Sequence, residues 1–125
     1  MRWKGAALAA LLLLPGAAAQ NPPGLSADLK LTPSYGGALL TGRIKASKAD
    51  ELMGVWSSLG RARLMKCAPR CEVVRSVPIS GSVILSGNSG YRVVLGGNFK
   101  VGQKVSVVLR LRQGVVLNVM ATVSR

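Results

Sequence analysis

The chain has 125 residues, of which 17 are Lys or Arg, four are Asp or Glu and none is His, so its formal net charge is +13. This length suits one domain with one hydrophobic core. Without histidine and with so few carboxylates, the chain lacks the groups of a hydrolytic triad or a paired-acid site, so we do not expect an enzyme. The positive charge favours anionic contacts, although a dispersed charge also keeps a small domain soluble.

The N-terminal segment has the three-part pattern of a secretory signal peptide. Arg2 and Lys4 precede the apolar residues 5–14, and small alanines at 17–19 precede Gln20. The alternative is a membrane anchor, but an apolar run of about 15 residues is shorter than the ~20 that span a bilayer. We therefore predict a signal peptide at 1–19, cleavage after Ala19, and a periplasmic or secreted protein with no later membrane span.

The first predicted elements of the mature chain are extended. Pro22-Pro23-Gly24 predicts an extended lead-in over 20–28, and the folded domain is predicted over 29–125. A short strand is expected at 29–31. Residues 38–46 alternate apolar side chains with Thr41, Arg43 and Lys45, as in a strand with one face in solvent. The sequence does not decide whether residues 47–52 form a short helix or a loop.

The rest of the chain alternates short apolar runs with turns. Strands are predicted at 53–57, 62–67, 72–77, 83–85 and 91–95, and a final hairpin joins 105–112 to 115–123 through Gln113-Gly114. Apolar residues occupy every second position of both hairpin strands, so the register is well determined. About seven to nine short strands at this spacing, with no convincing helix, predict an all-β antiparallel sandwich or barrel.

Several short motifs resemble, in order and spacing, the periplasmic copper chaperone family PCu(A)C. The resemblance covers residues 37–123, and the motifs are Ala49-Asp50-Glu51-Leu52-Met53-Gly54 with Ser57-Ser58, Ala62-Arg63-Leu64-Met65, the run 77–85, and Gly90-Tyr91-Arg92-Val93-Val94-Leu95. The resemblance implies a cupredoxin-like Greek-key β-sandwich that binds copper. We expect a monomer, and we expect no nucleic-acid partner, because nucleic acid would fit the charge but not the export signal.

The same comparison indicates that the family's copper ligands are missing. The family motif is His-x10-Met-x21-His-x-Met, and its first His, second His and last Met correspond here to Met65, Arg92 and Val94. The other Met has no counterpart, because no methionine lies between Met65 and Met120. A guanidinium is a fixed cation that cannot coordinate a metal. The resemblance therefore implies the scaffold without the family's metal site.

Cys67 and Cys71 lie at the tip of a predicted hairpin, where a three-residue loop sets them opposite each other. Three interpretations remain open. An exported protein with two cysteines favours a structural disulfide. Alternatively, the reduced thiolates form a soft site for Cu(I) with Met65. The third interpretation is a redox-active disulfide, although no thioredoxin-like pattern accompanies the pair.

Two functions follow from these observations. The first is an exported copper-chaperone-like domain with a degenerate ligand set, which carries Cu(I) through the Cys67/Cys71 hairpin. The alternative is a non-metal structural or interaction module of the cell envelope, which binds an anionic surface or protein partner through its basic surface. In that case the Cys67–Cys71 pair is a structural disulfide.

Overall fold

The computed structural model describes residues 24–34, 36–68 and 70–125. The predicted signal peptide and residues 20–23 lie outside this part. The described residues form eleven strands: β1 (Leu25–Ser34), β2 (Gly37–Ala46), β3 (Asp50–Ser57), β4 (Gly60–Arg61), β5 (Arg63–Cys67), β6 (Cys71–Val73), β7 (Val77–Ile79), β8 (Ser82–Leu85), β9 (Tyr91–Gly96), β10 (Lys104–Leu111) and β11 (Val116–Val123). The all-β prediction is confirmed. No helix in this part is long and apolar enough to cross a membrane.

The strands form one curled sheet in the order β4-β3-β10-β11-β1-β2-β9-β5-β6, with β7 paired to β3 and β8 to β2. The pairings are antiparallel except for β1 with β11, which joins the first and last strands in parallel. A single residue, Ala62, separates β4 at one end of the sheet from β5 near the other end, and its N–H donates to the Val55 carbonyl at 2.8 Å. The two ends of the sheet therefore meet, and the sheet closes into a barrel-like sandwich.

The core is apolar, and no polar or charged residue is buried among the described residues. Val105, Val107, Leu109 and Leu111 of β10 all point inward, and the side chains between them are more exposed. On β11 the inward positions are Leu117, Ala121 and Val123, with Val119 half-buried. The period-two pattern of the final hairpin is thus confirmed, because the side chains of a strand alternate between its two faces.

The N-terminal strand is longer than expected. β1 begins at Leu25, inside the predicted lead-in, and pairs with β2 from Leu25↔Ala46 to Ser34↔Gly37. Leu25 and Ala27 continue the inward alternation of Leu29 and pack against the core. A regular strand therefore begins directly after Gly24, because β2 supplies β1 with an antiparallel partner along its whole length.

The region 47–52 is neither a helix nor wholly a loop. β3 begins at Asp50, where it pairs with Ile79 of β7, and Leu52 is fully buried. The predicted strand 72–77 is also wrong, because it divides into β6 and β7, which pair with β5 and β3 respectively. With the short β4, this division raises the number of strands above the predicted seven to nine. Local sequence could not indicate either change, since long-range partners decide both.

Candidate functional site

The β5–β6 hairpin holds both cysteines. Cys67 is the last residue of β5 and Cys71 the first of β6, and the two are directly opposite across the three-residue loop. Their sulfurs lie 2.00 Å apart, at disulfide distance. The Cys67 N–H donates to the carbonyl of Gly90 at 2.7 Å, which holds this tip against the start of β9. The described part of the chain contains no free cysteine.

Met65 lies two residues before Cys67 on β5, so their side chains share one face of the sheet. Leu64, which lies between Arg63 and Met65, is buried on the opposite, core face. Met65 is half-buried and is paired with Val73 of β6 on one side and with Arg92 of β9 on the other. Sulfur-bearing side chains from β5 and β6 are therefore gathered on one outward face at this end of the barrel.

Arg92 and Val94, which the sequence motifs predict to stand in place of family ligands, lie on this face as well. Arg92 is directly opposite Met65, and Val94, two residues further along β9, is paired with Arg63. Both are half-buried, and the Nε of Arg92 donates to the Ser89 carbonyl at 3.5 Å. A cation and an aliphatic side chain thus occupy the sheet positions next to Met65. Neither can donate an electron pair to a metal.

The described residues contain no group of three or more His, Cys, Asp and Glu side chains that could hold a metal ion. With Cys67 and Cys71 joined, the pair offers no thiolate, and Met65 is a single thioether. A soft ion such as Cu(I) needs thiolate or thioether ligands. The residues present therefore fit Cu(I) only after reduction, when two thiolates and one thioether become available on the same face.

Sequence reasoning missed a concave region where the two ends of the sheet meet. Its groove has a volume of about 610 Å³, and its arginines are Arg61, Arg63, Arg75, Arg110 and Arg112. The sequence offers only a partial signal, the spacing Arg-x-Arg at 61–63 and again at 110–112, because Arg61 and Arg63 lie on different strands and Arg112 follows the end of β10. The curling of the sheet, which local patterns do not reveal, brings the two pairs to one groove.

The edge of this groove contains the structure's one ion pair among the described residues, Arg112 with Glu51. Glu51 also accepts a hydrogen bond from the Ser76 hydroxyl at 2.6 Å. These two donors, Ser76 first and then Arg112, hold the pKa of Glu51 below the ordinary glutamate value. Because Asp28, Asp50 and Glu72 form no ion pair with any described residue, the other arginines of the groove have no carboxylate partner there.

No family model matches the sequence, and no curated protein is similar enough to count as a relative. Solved structures do match the fold. The copper-bound PCuAC domain from PmoF2 has a TM-score of 0.66 and 18% identity over 81% of this chain and 92% of its own. CuI-DR1885 from Deinococcus radiodurans has a TM-score of 0.66 and 26% identity over 86% of this chain and 83% of its own.

The PmoF2 domain without copper matches as well, with a TM-score of 0.62 and 17% identity over 80% of this chain and 93% of its own. These matches cover most of this chain. The protein has the fold of the PCuAC copper chaperone domains.

Proposed function

We propose that this protein is an exported copper-chaperone-like domain with a degenerate ligand set, which carries Cu(I) through Cys67, Cys71 and Met65. The observation that supports the proposal is the common outward face of these side chains at the tip of the β5–β6 hairpin. The choice of copper is supported by the fold, since two of the similar solved structures contain copper.

Loading requires reduction of the cysteine pair. A dithiol reductant breaks the S–S bond with two electrons and two protons, and the two thiols then lose their protons to the solvent as they bind Cu(I). Two thiolates and one Cu(I) ion carry one net negative charge. Arg92, across from Met65, has the opposite charge and would stabilise this complex, although it repels a free cation. The oxidised protein would bind no metal.

The test is a titration of the purified protein with Cu(I) in competition with a coloured chelator, before and after reduction. We expect about one ion per reduced chain and none for the oxidised chain. Cys67→Ser should abolish binding, and Met65→Leu should weaken it by about tenfold or more. Met120→Leu is the matched control, because Met120 is exposed on β11, away from the hairpin.

Two results would contradict the copper proposal. The first is the absence of binding in both redox states. The second is binding that survives the loss of both cysteines, since the metal would then be held elsewhere. Export is tested separately by N-terminal sequencing of the protein from the periplasm or medium, for which we expect Gln20 as the first residue.

A second candidate function is the envelope module that binds an anionic partner without metal. The observation that favours it is the shortage of internal charge compensation: after the predicted cleavage 15 basic residues face four acidic ones, and a single ion pair forms in the described part. Association with anionic vesicles or cell-wall polymer should weaken steeply as salt is raised, because ions screen contacts between exposed charges. Association that is insensitive to salt would count against this function.

A further inference from the structure

The arginine groove, which we define by Arg61, Arg63, Arg75, Arg110, Arg112 and Trp56, joins surfaces that are far apart in sequence. One wall comes from β3, β4 and the end of β10, and the other from β5 and the segment that follows β6. These are the two ends of the curled sheet, so the groove is the seam along which the barrel closes. A seam of this kind is concave, in contrast to the outer face of a sheet.

The charge of this groove is largely uncompensated. Only Arg112 has a carboxylate partner, Glu51, and the side chain of Arg112 is still 69% exposed. Arg63, Arg75 and Arg110 are exposed and form no ion pair within the described residues. Guanidinium groups bind carboxylates in pairs of parallel hydrogen bonds, and several of them around one concavity create a strongly positive potential. The groove is therefore suited to a ligand with several carboxylates.

Apolar surface lies between the arginines. The guanidinium of Arg61 stands over the ring of Trp56 at 5.3 Å from its centroid. The Trp56 ring in turn covers Gly54, where an added Cβ would come within 2.5 Å of it. On the other wall Val73 is 68% exposed. A ligand that fills this groove must bury apolar groups as well as neutralise charge, which a bare polyanion cannot do.

The groove also lies beside an unpaired strand edge. β6 is the last strand of the sheet and pairs only with β5 among the described strands. Its residue Val73 lines the groove and is directly opposite Met65 of the candidate copper site. An exposed edge can accept an extended peptide as a further strand, with specificity supplied by the side-chain pockets next to it.

We propose that the arginine groove binds an extended acidic segment of a partner polypeptide, whose carboxylates contact the arginines and whose apolar side chains cover Val73 and Trp56. A lipid surface is disfavoured because the groove is concave and recessed, whereas a bilayer is flat. This inference rests on the second candidate function and gives it a location. It also sets the partner next to Met65, where a carried ion would be exchanged, but it does not depend on copper.

The probe is a fluorescently labelled, capped peptide of about ten residues that alternates Glu with Leu or Val, titrated by anisotropy in low salt. The double variant R63Q/R110Q should bind it about tenfold or more weakly. The matched control R43Q/K45Q removes the same charge from exposed positions of β2 and should stay within about twofold of the native protein. The same peptide with Gln in place of Glu should not bind.

Three results would overturn the groove as the site of the acidic segment. If both double variants lose affinity equally, the attraction is diffuse, and the second function stands without the groove. If anionic vesicles bind but the peptide does not, the partner is a lipid surface. If neither binds, the second function fails together with the groove. Circular dichroism checks the fold of each variant, and R110Q alone replaces the double variant if that one unfolds.

Discussion

Glu51 has the most distinctive chemical environment of the four acidic residues. Its side chain accepts hydrogen bonds from Ser76 and Arg112, while its backbone carbonyl accepts the Arg112 N–H at 2.9 Å. The residue thus connects β3 to the segment before β7 and to the turn after β10. This connection lies beside the irregular pairing of β3 with β10 at Arg110 and Leu111, where one residue is out of register.

We predict that Glu51→Gln lowers the melting temperature in a pH-dependent way. The folded-state pKa of Glu51 is below the unfolded value near 4.5, so its ionised form stabilises the fold above that pH. The stabilisation is lost as the pH falls through the folded-state pKa. Thermal unfolding followed by circular dichroism should show a difference at pH 7 that vanishes in acid. Ser76→Ala should behave similarly, and a difference that does not change with pH would contradict this account.

At the scale of the elements, β2 is notable because it exchanges partners along its length. Gly37, Ala38 and Leu39 pair with β9, whereas residues from Gly42 to Lys45 pair with β8. The change occurs at Gly42, whose φ of +137° is a conformation that residues with a Cβ rarely adopt. A Cβ at this position would also collide with the carbonyl of Asp28 on β1. Glycine is therefore needed where the strand bends.

Gly42→Ala should lower the free energy of unfolding by about 2 kcal/mol or more, because both the backbone strain and the contact with Asp28 oppose the added methyl group. Chemical denaturation measures the change. The adjacent Thr41→Ala is the control, and we expect it to cost about 1 kcal/mol or less, since Thr41 is only half-buried and makes weak hydrogen bonds. Equal effects of the two substitutions would argue against the special role of Gly42.

The pairing of β5 with β9 leads to a second prediction at this scale. Arg92→His together with Val94→Met introduces an imidazole and a thioether on the face that carries Met65. The double variant should bind about one Cu(I) ion even when Cys67 and Cys71 remain oxidised, as measured by the same competition titration. Arg92→Gln with Val94→Leu removes the cation without adding ligands and should bind none. Binding that still requires reduction would mean that these positions do not form a site.

For the whole molecule, the dominant electrostatic feature is repulsion among basic side chains. Without Arg2 and Lys4 of the predicted signal peptide, 15 basic residues stand against four acidic ones, a net charge of +11, and the single ion pair of the described part compensates little of it. Such self-repulsion destabilises a compact state, and salt screens it over a distance of about 10 Å at 0.1 M ionic strength.

The melting temperature should therefore rise by several degrees, roughly 3 to 8 °C, between low salt and about 0.3 M NaCl, corresponding to about 1 kcal/mol of relieved repulsion. Differential scanning calorimetry measures the shift. Glycerol at matched osmolality is the control, because it adds no ions. A melting temperature that falls with NaCl would show that attractive pairs, and not repulsion, dominate the charge interactions of the fold.

Much of the fold could be predicted because alternation is a local property of strands. The inward positions of β2, β10 and β11 follow directly from the spacing of apolar residues. The start of β1 and the nature of 47–52 could not be predicted in this way. Asp50 and Glu51 resemble a helix N-terminus in sequence, and only their pairing with Ile79 and Pro78 makes them a strand.

The candidate site, too, could be predicted only in part. The sequence predicts the hairpin that joins Cys67 to Cys71, because only three residues separate them. It also excludes any histidine ligand, since the chain contains no histidine. The arginine groove was missed because its side chains come from segments that are distant in sequence, and no local spacing connects Arg61 with Arg75 or Arg110.

The sequence alone therefore determined the all-β class, the faces of the long strands and the absence of histidine ligands, because these depend on residue type and short spacing. The tertiary structure decided which strands meet. The pairing of β1 with β11 and the direct passage of the chain from β4 through Ala62 to β5 close the sheet, and only this closure forms the basic seam next to Met65. Such pairings are set by burying a common core and not by local propensity, so they become visible only in the folded molecule.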